Sequence, residues 1–125
     1  MLDVLVVDDE PAIRETLSFI LEMEGFTVDV AADGEQALAK VHENHPKVVL
    51  LDVMMPKKDG YRVCQEIKKD PQTAATKVVI LTAMGQAADR ARAFEVGADA
   101  YISKPFDEDG LIALLRQLVA EGSGA

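Results

Sequence analysis

"VVLLDVMMPKKDG", Val48 to Gly60, decides how this chain is read. Four branched apolar residues run straight into Asp52, and two methionines, a proline, two lysines and Asp59-Gly60 follow. A short, continuously apolar run of this kind reads as a strand covered on both faces, because a strand with one wet face alternates. A buried strand that stops on a carboxylate has reached either a turn or a site.

Working outward, similar runs recur along the chain: "LDVLVV" (2–7), "TVDVAA" (27–32), "KVVLL" (47–51), "KVVIL" (77–81) and "DAYIS" (99–103). Their Val and Ile content favours strands. The segments between them have helical periods. Ile13, Leu17, Ile20 and Leu21 share one face, as do Leu111, Leu114, Leu115 and Leu118. Pro11 suits the first turn of a helix, and Gly25 and Gly97 stand where a left-handed C-terminal cap wants glycine. Five β–α units predict an α/β fold, a doubly wound parallel sheet of five strands with five helices and right-handed crossovers. Residues 1–120 are expected to form one domain. "EGSGA", 121–125, reads as a flexible tail or linker stub.

Composition narrows the function. With 13 basic and 22 acidic residues the formal charge is −9. A nucleic-acid surface needs clustered Lys and Arg, and an anionic membrane would repel this chain. No apolar run approaches the ~20 residues of a membrane span. The start, "MLDVLVV", lacks the basic end of a signal peptide. The single cysteine, Cys64, fits a reducing cytoplasm and reads as a small helix-face hydrophobe.

In open α/β sheets ligands sit beyond the carboxyl ends of the strands, where the strand order reverses. Strand one ends in Asp8-Asp9-Glu10, strand three in Asp52, strand four in Thr82-Ala83 and strand five in Ser103-Lys104-Pro105. Strand two ends in Ala31-Ala32-Asp33, which carries the least chemistry and puts that strand at the sheet edge. Asp52 is therefore expected beside Asp8 and Asp9. Two carboxylates ~4 Å apart repel by about 4 kcal/mol at an effective dielectric near 20. Three together call for protons or a cation, and a hard divalent ion such as Mg²⁺ suits oxygen ligands. A metal, the Thr82 hydroxyl and the Lys104 ammonium around one carboxylate describe a phosphoryl site, with Asp52 as the nucleophile that forms an acyl phosphate. Each residue has a plainer role open to it. Asp9 or Glu10 would cap the first helix, Asp52 would be a turn residue, Thr82 would cap the fourth helix, and Lys104 would be a solvated loop lysine. Their shared end of the sheet favours the joint reading. Asp59-Gly60 reads as a turn and helix start. His42 and His45 lie away from the pocket and read as solvated.

At these residues the chain resembles the receiver domains of two-component response regulators, over residues 2 to about 120. The resemblance rests on "VVDDEP", "LLDVMMPKKDGY", "VVILTA" and "GADAYISKPF" in this order. It implies a flavodoxin-like sheet of order 2-1-3-4-5. It implies Asp52 as phospho-acceptor, Mg²⁺ held by Asp9 and Asp52, with Asp8 mainly through water and Met54 through its carbonyl, and phosphoryl oxygens held by Thr82 and Lys104. Ala83 would leave room for the phosphoryl group. Tyr101 would be the switch aromatic that turns inward as Thr82 moves. Lys104-Pro105 would be a cis bond. Met54 and Met84 would occupy two pocket-rim positions that tune loss of the phosphoryl group. Lys57 departs from the family, where glycine is common. The implied partners are a histidine kinase or phosphotransfer protein as donor, and a downstream protein or linked output domain. Signalling, or a dimer, would use the surface of helix four, strand five and helix five. Such a domain is a switch rather than an enzyme. Two rival readings are weaker. An aspartyl phosphohydrolase commonly has a second aspartate two residues on, where this chain has Met54. A flavin carrier needs hydroxyls in its first loop, where Asp8-Asp9-Glu10 would repel phosphate.

Overall fold

The computed structural model describes residues 2–52, 60–82, 87–103 and 106–123. Elements alternate along the chain: β1 Val4–Val7, α1 Pro11–Met23, β2 Val28–Ala31, α2 Gly34–Asn44, β3 Val48–Asp52, α3 Gly60–Lys69, β4 Lys77–Thr82, α4 Ala87–Glu95, β5 Ala100–Ser103 and α5 Glu108–Ser123. All strand pairs are parallel, and the order is β2-β1-β3-β4-β5. The five strands, five helices and edge position of strand two agree with the sequence. α5 continues to Ser123, past residue 120 where the tail was expected to begin.

The continuous apolar runs are explained by the two faces of the sheet. Val4, Val6, Val48, Leu50, Val79 and Leu81 point toward α1 and α5, where they meet Leu17, Leu21, Leu111 and Leu115. Their neighbours Leu5, Val7, Val49, Leu51, Val78 and Ile80 point the other way, into a second core with Val41, Val63, Cys64 and Ile67. Every residue of β1 and β3 is buried. No face is left to be polar until the strands end, and the first polar groups there are carboxylates.

Local signals fix several boundaries. Gly25 and Gly97 adopt φ of 95° and 92°, the left-handed conformation expected after a helix. Asp33, which follows strand two, caps α2 by accepting a hydrogen bond from the Gln36 N–H at 2.9 Å. His45 closes the same helix at φ 46°. His42 is solvated as expected, its side chain 46% exposed, and its Nε2 lies 3.4 Å from Asp70 Oδ2 just past the end of α3.

Candidate functional site

The β1–β3 register sets Val7 against Leu51, so the next residues, Asp8 and Asp52, stand side by side at the carboxyl end of the sheet. Asp8 and Asp52 are 1% and 6% exposed, and Asp9 is exposed. One carboxylate oxygen from each of the three lies within 4.8 Å of the others. Asp52 thus ends its strand within a cluster of three carboxylates.

Glu10 occupies the N-cap position of α1 but makes no side-chain capping bond. Instead Asp8 Oδ1 accepts the Glu10 N–H at 2.9 Å, which orients Asp8 at the mouth of the pocket. Arg14, one turn into α1, donates from Nη1 to the Asp8 carbonyl at 2.7 Å, bringing a fixed cation to the acidic end. Thr82 is the last residue of β4, and α4 starts only at Ala87, so Thr82 is not the N-cap of that helix. Its side chain is buried, at 1% exposure.

Strand alternation separates the chemistry by face. Asp52 follows Val48 and Leu50 toward α1 and α5, whereas Thr82 follows Val78 and Ile80 toward α2, α3 and α4. Tyr101 pairs in register with Ile80 and shares that second face with Thr82, two positions along the sheet. It is half-buried and packs against the same apolar core. Met54, Ala83, Met84, Lys104 and the Lys104-Pro105 bond lie outside the described residues, as do Lys57 and Asp59.

One neighbouring contact was not anticipated. The Arg92 guanidinium of α4 lies 4.4 Å from the ring centroid of Tyr61, the second residue of α3. "DGY" was visible, but nothing local marks Arg92 as its partner.

The donor set is chemically uniform. Three carboxylates supply hard oxygen atoms and no sulfur or imidazole, which suits a small hard cation such as Mg²⁺. A buried hydroxyl follows on the adjacent strand.

Comparison with known proteins places this geometry. Residues 4–116 match the response regulator receiver domain. A probable transcriptional regulator, ycf27, from Guillardia theta is 49% identical over 116 residues, covering 93% of this chain and 44% of that protein. The DNA-binding dual master transcriptional regulator RpaA from Synechocystis is 42% identical over 116 residues, covering 93% of this chain and 48% of that protein. The chain thus spans about half the length of these curated relatives. A CheY-like response regulator receiver domain protein from Methanospirillum hungatei superposes with a TM-score of 0.90 at 28% identity, covering 99% of this chain and 98% of that one.

Proposed function

The chain belongs to the response regulator receiver domain family, and from that premise we propose that Asp52 is the residue phosphorylated in its acidic pocket. The domain is a signalling module, not an enzyme with turnover. The observation that carries the assignment is the meeting of Asp8, Asp9 and Asp52 within 4.8 Å, with Asp52 the last residue of the central strand β3.

In this reading an oxygen of Asp52 attacks phosphorus. The new O–P bond forms as the donor's P–N bond breaks, and the donor histidine keeps that electron pair. Asp9 and Asp52 would hold Mg²⁺ by their side chains, Asp8 mainly through water, and Met54 would add its backbone carbonyl, as the family resemblance implies. When bound, Mg²⁺ neutralises oxygens of the incoming phosphoryl group. The Thr82 hydroxyl donates to one phosphoryl oxygen and Lys104 pairs with another. Pulling Thr82 toward the phosphoryl group opens space on the face it shares with Tyr101, so the ring turns inward and the surface changes.

The donor is a histidine kinase or a phosphotransfer protein. An open, mostly apolar groove of about 420 Å³, lined by Ala12, Ile13, Thr16, Leu17, Ile20, Phe106 and Glu108, lies between α1 and the start of α5. It suits a helical partner that presents a phosphorylated side chain to the adjacent acidic end. The altered face, α4, β5 and α5, is read by a downstream protein, a linked output domain or a second copy. Phe94 is 48% exposed on α4 and offers that face an apolar contact. Residues 1–120 act as the receiver, with α5 running on to Ser123, and the domain works in the cytoplasm. No described helix is long and apolar enough to cross a membrane.

The test is chemical. Incubation with acetyl phosphate and Mg²⁺, followed by borohydride trapping and peptide mapping, should place the label on Asp52 alone. Asp52→Asn should lose it; label retained at the wild-type level would overturn the assignment.

A further inference from the structure

The sheet has an edge at β2, and an edge strand presents N–H and C=O groups that can pair with another strand. Alternate residues of β2 turn inward. The Thr27 carbonyl accepts from the Val4 N–H at 3.1 Å, and the Ala31 carbonyl accepts from the Asp8 N–H at 3.2 Å. The intervening residues, Val30 among them, turn their backbone groups outward. At Val30 those groups are met by side chains. Asp29 Oδ1 accepts the Val30 N–H at 2.8 Å. Lys40 Nζ, from α2, donates to the Val30 carbonyl. Lys40 and Asp29 are themselves paired at 3.2 Å. One residue beyond the strand, Gln36 Oε1 accepts the Ala32 N–H at 3.0 Å. Gln36 and Lys40 are one turn apart on α2, so a single helix face serves Val30 and Ala32, the carboxyl-side half of this edge.

We propose that Asp29, Gln36 and Lys40 form a guard that closes the β2 edge against strand addition by a second copy of this chain. The sequence of the edge shows why a guard is needed. "TVDVAA" has high strand propensity, no proline, and a single charge within it, Asp29. Without the guard, Val30 would offer a free donor and acceptor pair to the same strand of another molecule, related by a twofold axis. With it, an incoming strand must first displace an ion pair and two side-chain hydrogen bonds. The guard is independent of phosphorylation and leaves α4, β5 and α5 as the face available for regulated contacts.

The test uses the charge-neutral double variant Asp29→Ala/Lys40→Ala, so that net charge cannot explain a difference. Sedimentation velocity over a concentration series should show self-association at least about tenfold stronger than in wild type. Lys40→Arg, which keeps a long donor, should behave as wild type. Hydrogen exchange locates the contact. In the double variant the Val30 amide should exchange quickly at low concentration and slow as the concentration rises. A second variant, Asp29→Ala, guards against misfolding of the first: it should speed Val30 exchange and leave the Val6 amide of β1 unchanged. Self-association equal to wild type in the folded double variant would overturn the proposal. So would association that leaves Val30 unprotected, or Val30 exchange unaffected by Asp29→Ala.

Discussion

At the scale of single residues, the pocket and Cys64 show how position sets chemistry. The acidic residues act together because each ends or follows a buried strand, and strand ends were readable in the sequence. Met54 and Met84 are placed at the pocket by the family resemblance. A thioether donates no hydrogen bond and is a weak acceptor, so neither side chain can orient a water for attack on the acyl phosphate. We predict that at least one of Met54→Asn and Met84→Glu speeds loss of phosphate, measured as the autodephosphorylation rate beside wild type. If both variants match wild type or are slower, water placement at these residues does not set the lifetime. Cys64 is fully buried on α3, and its Sγ lies 3.6 Å from the Val96 carbonyl. Burial pushes its thiol up from 9.0 to about 12, with Lys68 opposing and Asp99 adding. The folded state therefore holds this proton more tightly than the unfolded chain. The resulting stability is full below pH 9 and is lost as pH rises toward about 12. Urea midpoints should fall more steeply across that window in wild type than in Cys64→Ala. Parallel curves would show that the thiol is not the group responsible.

At the scale of elements, the opposite end of the sheet is tied by one half-buried carboxylate. Asp99, just before β5, accepts the Val78 N–H at 2.8 Å and pairs with Lys68 of α3 at 2.8 Å. Lys68 also donates to the Thr76 carbonyl at 2.8 Å and to the Ala74 carbonyl at 3.2 Å. Three segments are thus joined far from the acidic pocket. Asp99→Ala would leave the Val78 N–H without this acceptor and Lys68 without this partner. Its expected cost is about 1 kcal/mol, since the hydrogen bond is only partly buried and the Val78 N–H would lose its acceptor. Chemical denaturation measures this, and phosphorylation of Asp52 should persist in the folded variant. A loss below ~0.5 kcal/mol would place the pair among exposed ion pairs of little consequence. The helix caps at this scale were only partly legible. Gly25 and Gly97 announced themselves, because few other residues take positive φ. Asp33 did not, because an aspartate after a strand is equally a turn residue until its hydrogen bond is seen.

At the scale of the whole molecule, clustered carboxylates in a chain of net charge −9 repel one another, and a cation bound among them would relieve that repulsion. Mg²⁺ should therefore raise the melting temperature. At tenfold excess over its dissociation constant the gain is about 1.4 kcal/mol, roughly 5 °C for a domain of this size. Asp9→Ala should lose most of that rise, read as the difference in melting temperature between Mg²⁺ and chelator. A rise equal to wild type would place the cation elsewhere. The sequence by itself determined the alternation of strands and helices, because burial on two faces leaves continuous apolar runs and one-sided burial leaves a helical period. It also marked Asp8, Asp9, Asp52 and Thr82, because polar residues at the ends of such runs have one end of the sheet to occupy. Only the tertiary structure decided how close the three carboxylates come, which face Thr82 shares with Tyr101, that Arg92 lies over the Tyr61 ring, and that Lys40 reaches the Val30 carbonyl at the β2 edge. Those facts depend on strand register and on the docking of helices distant in sequence. Local propensity carries no record of either, since a side chain's partner across the fold is chosen by packing and not by its neighbours along the chain.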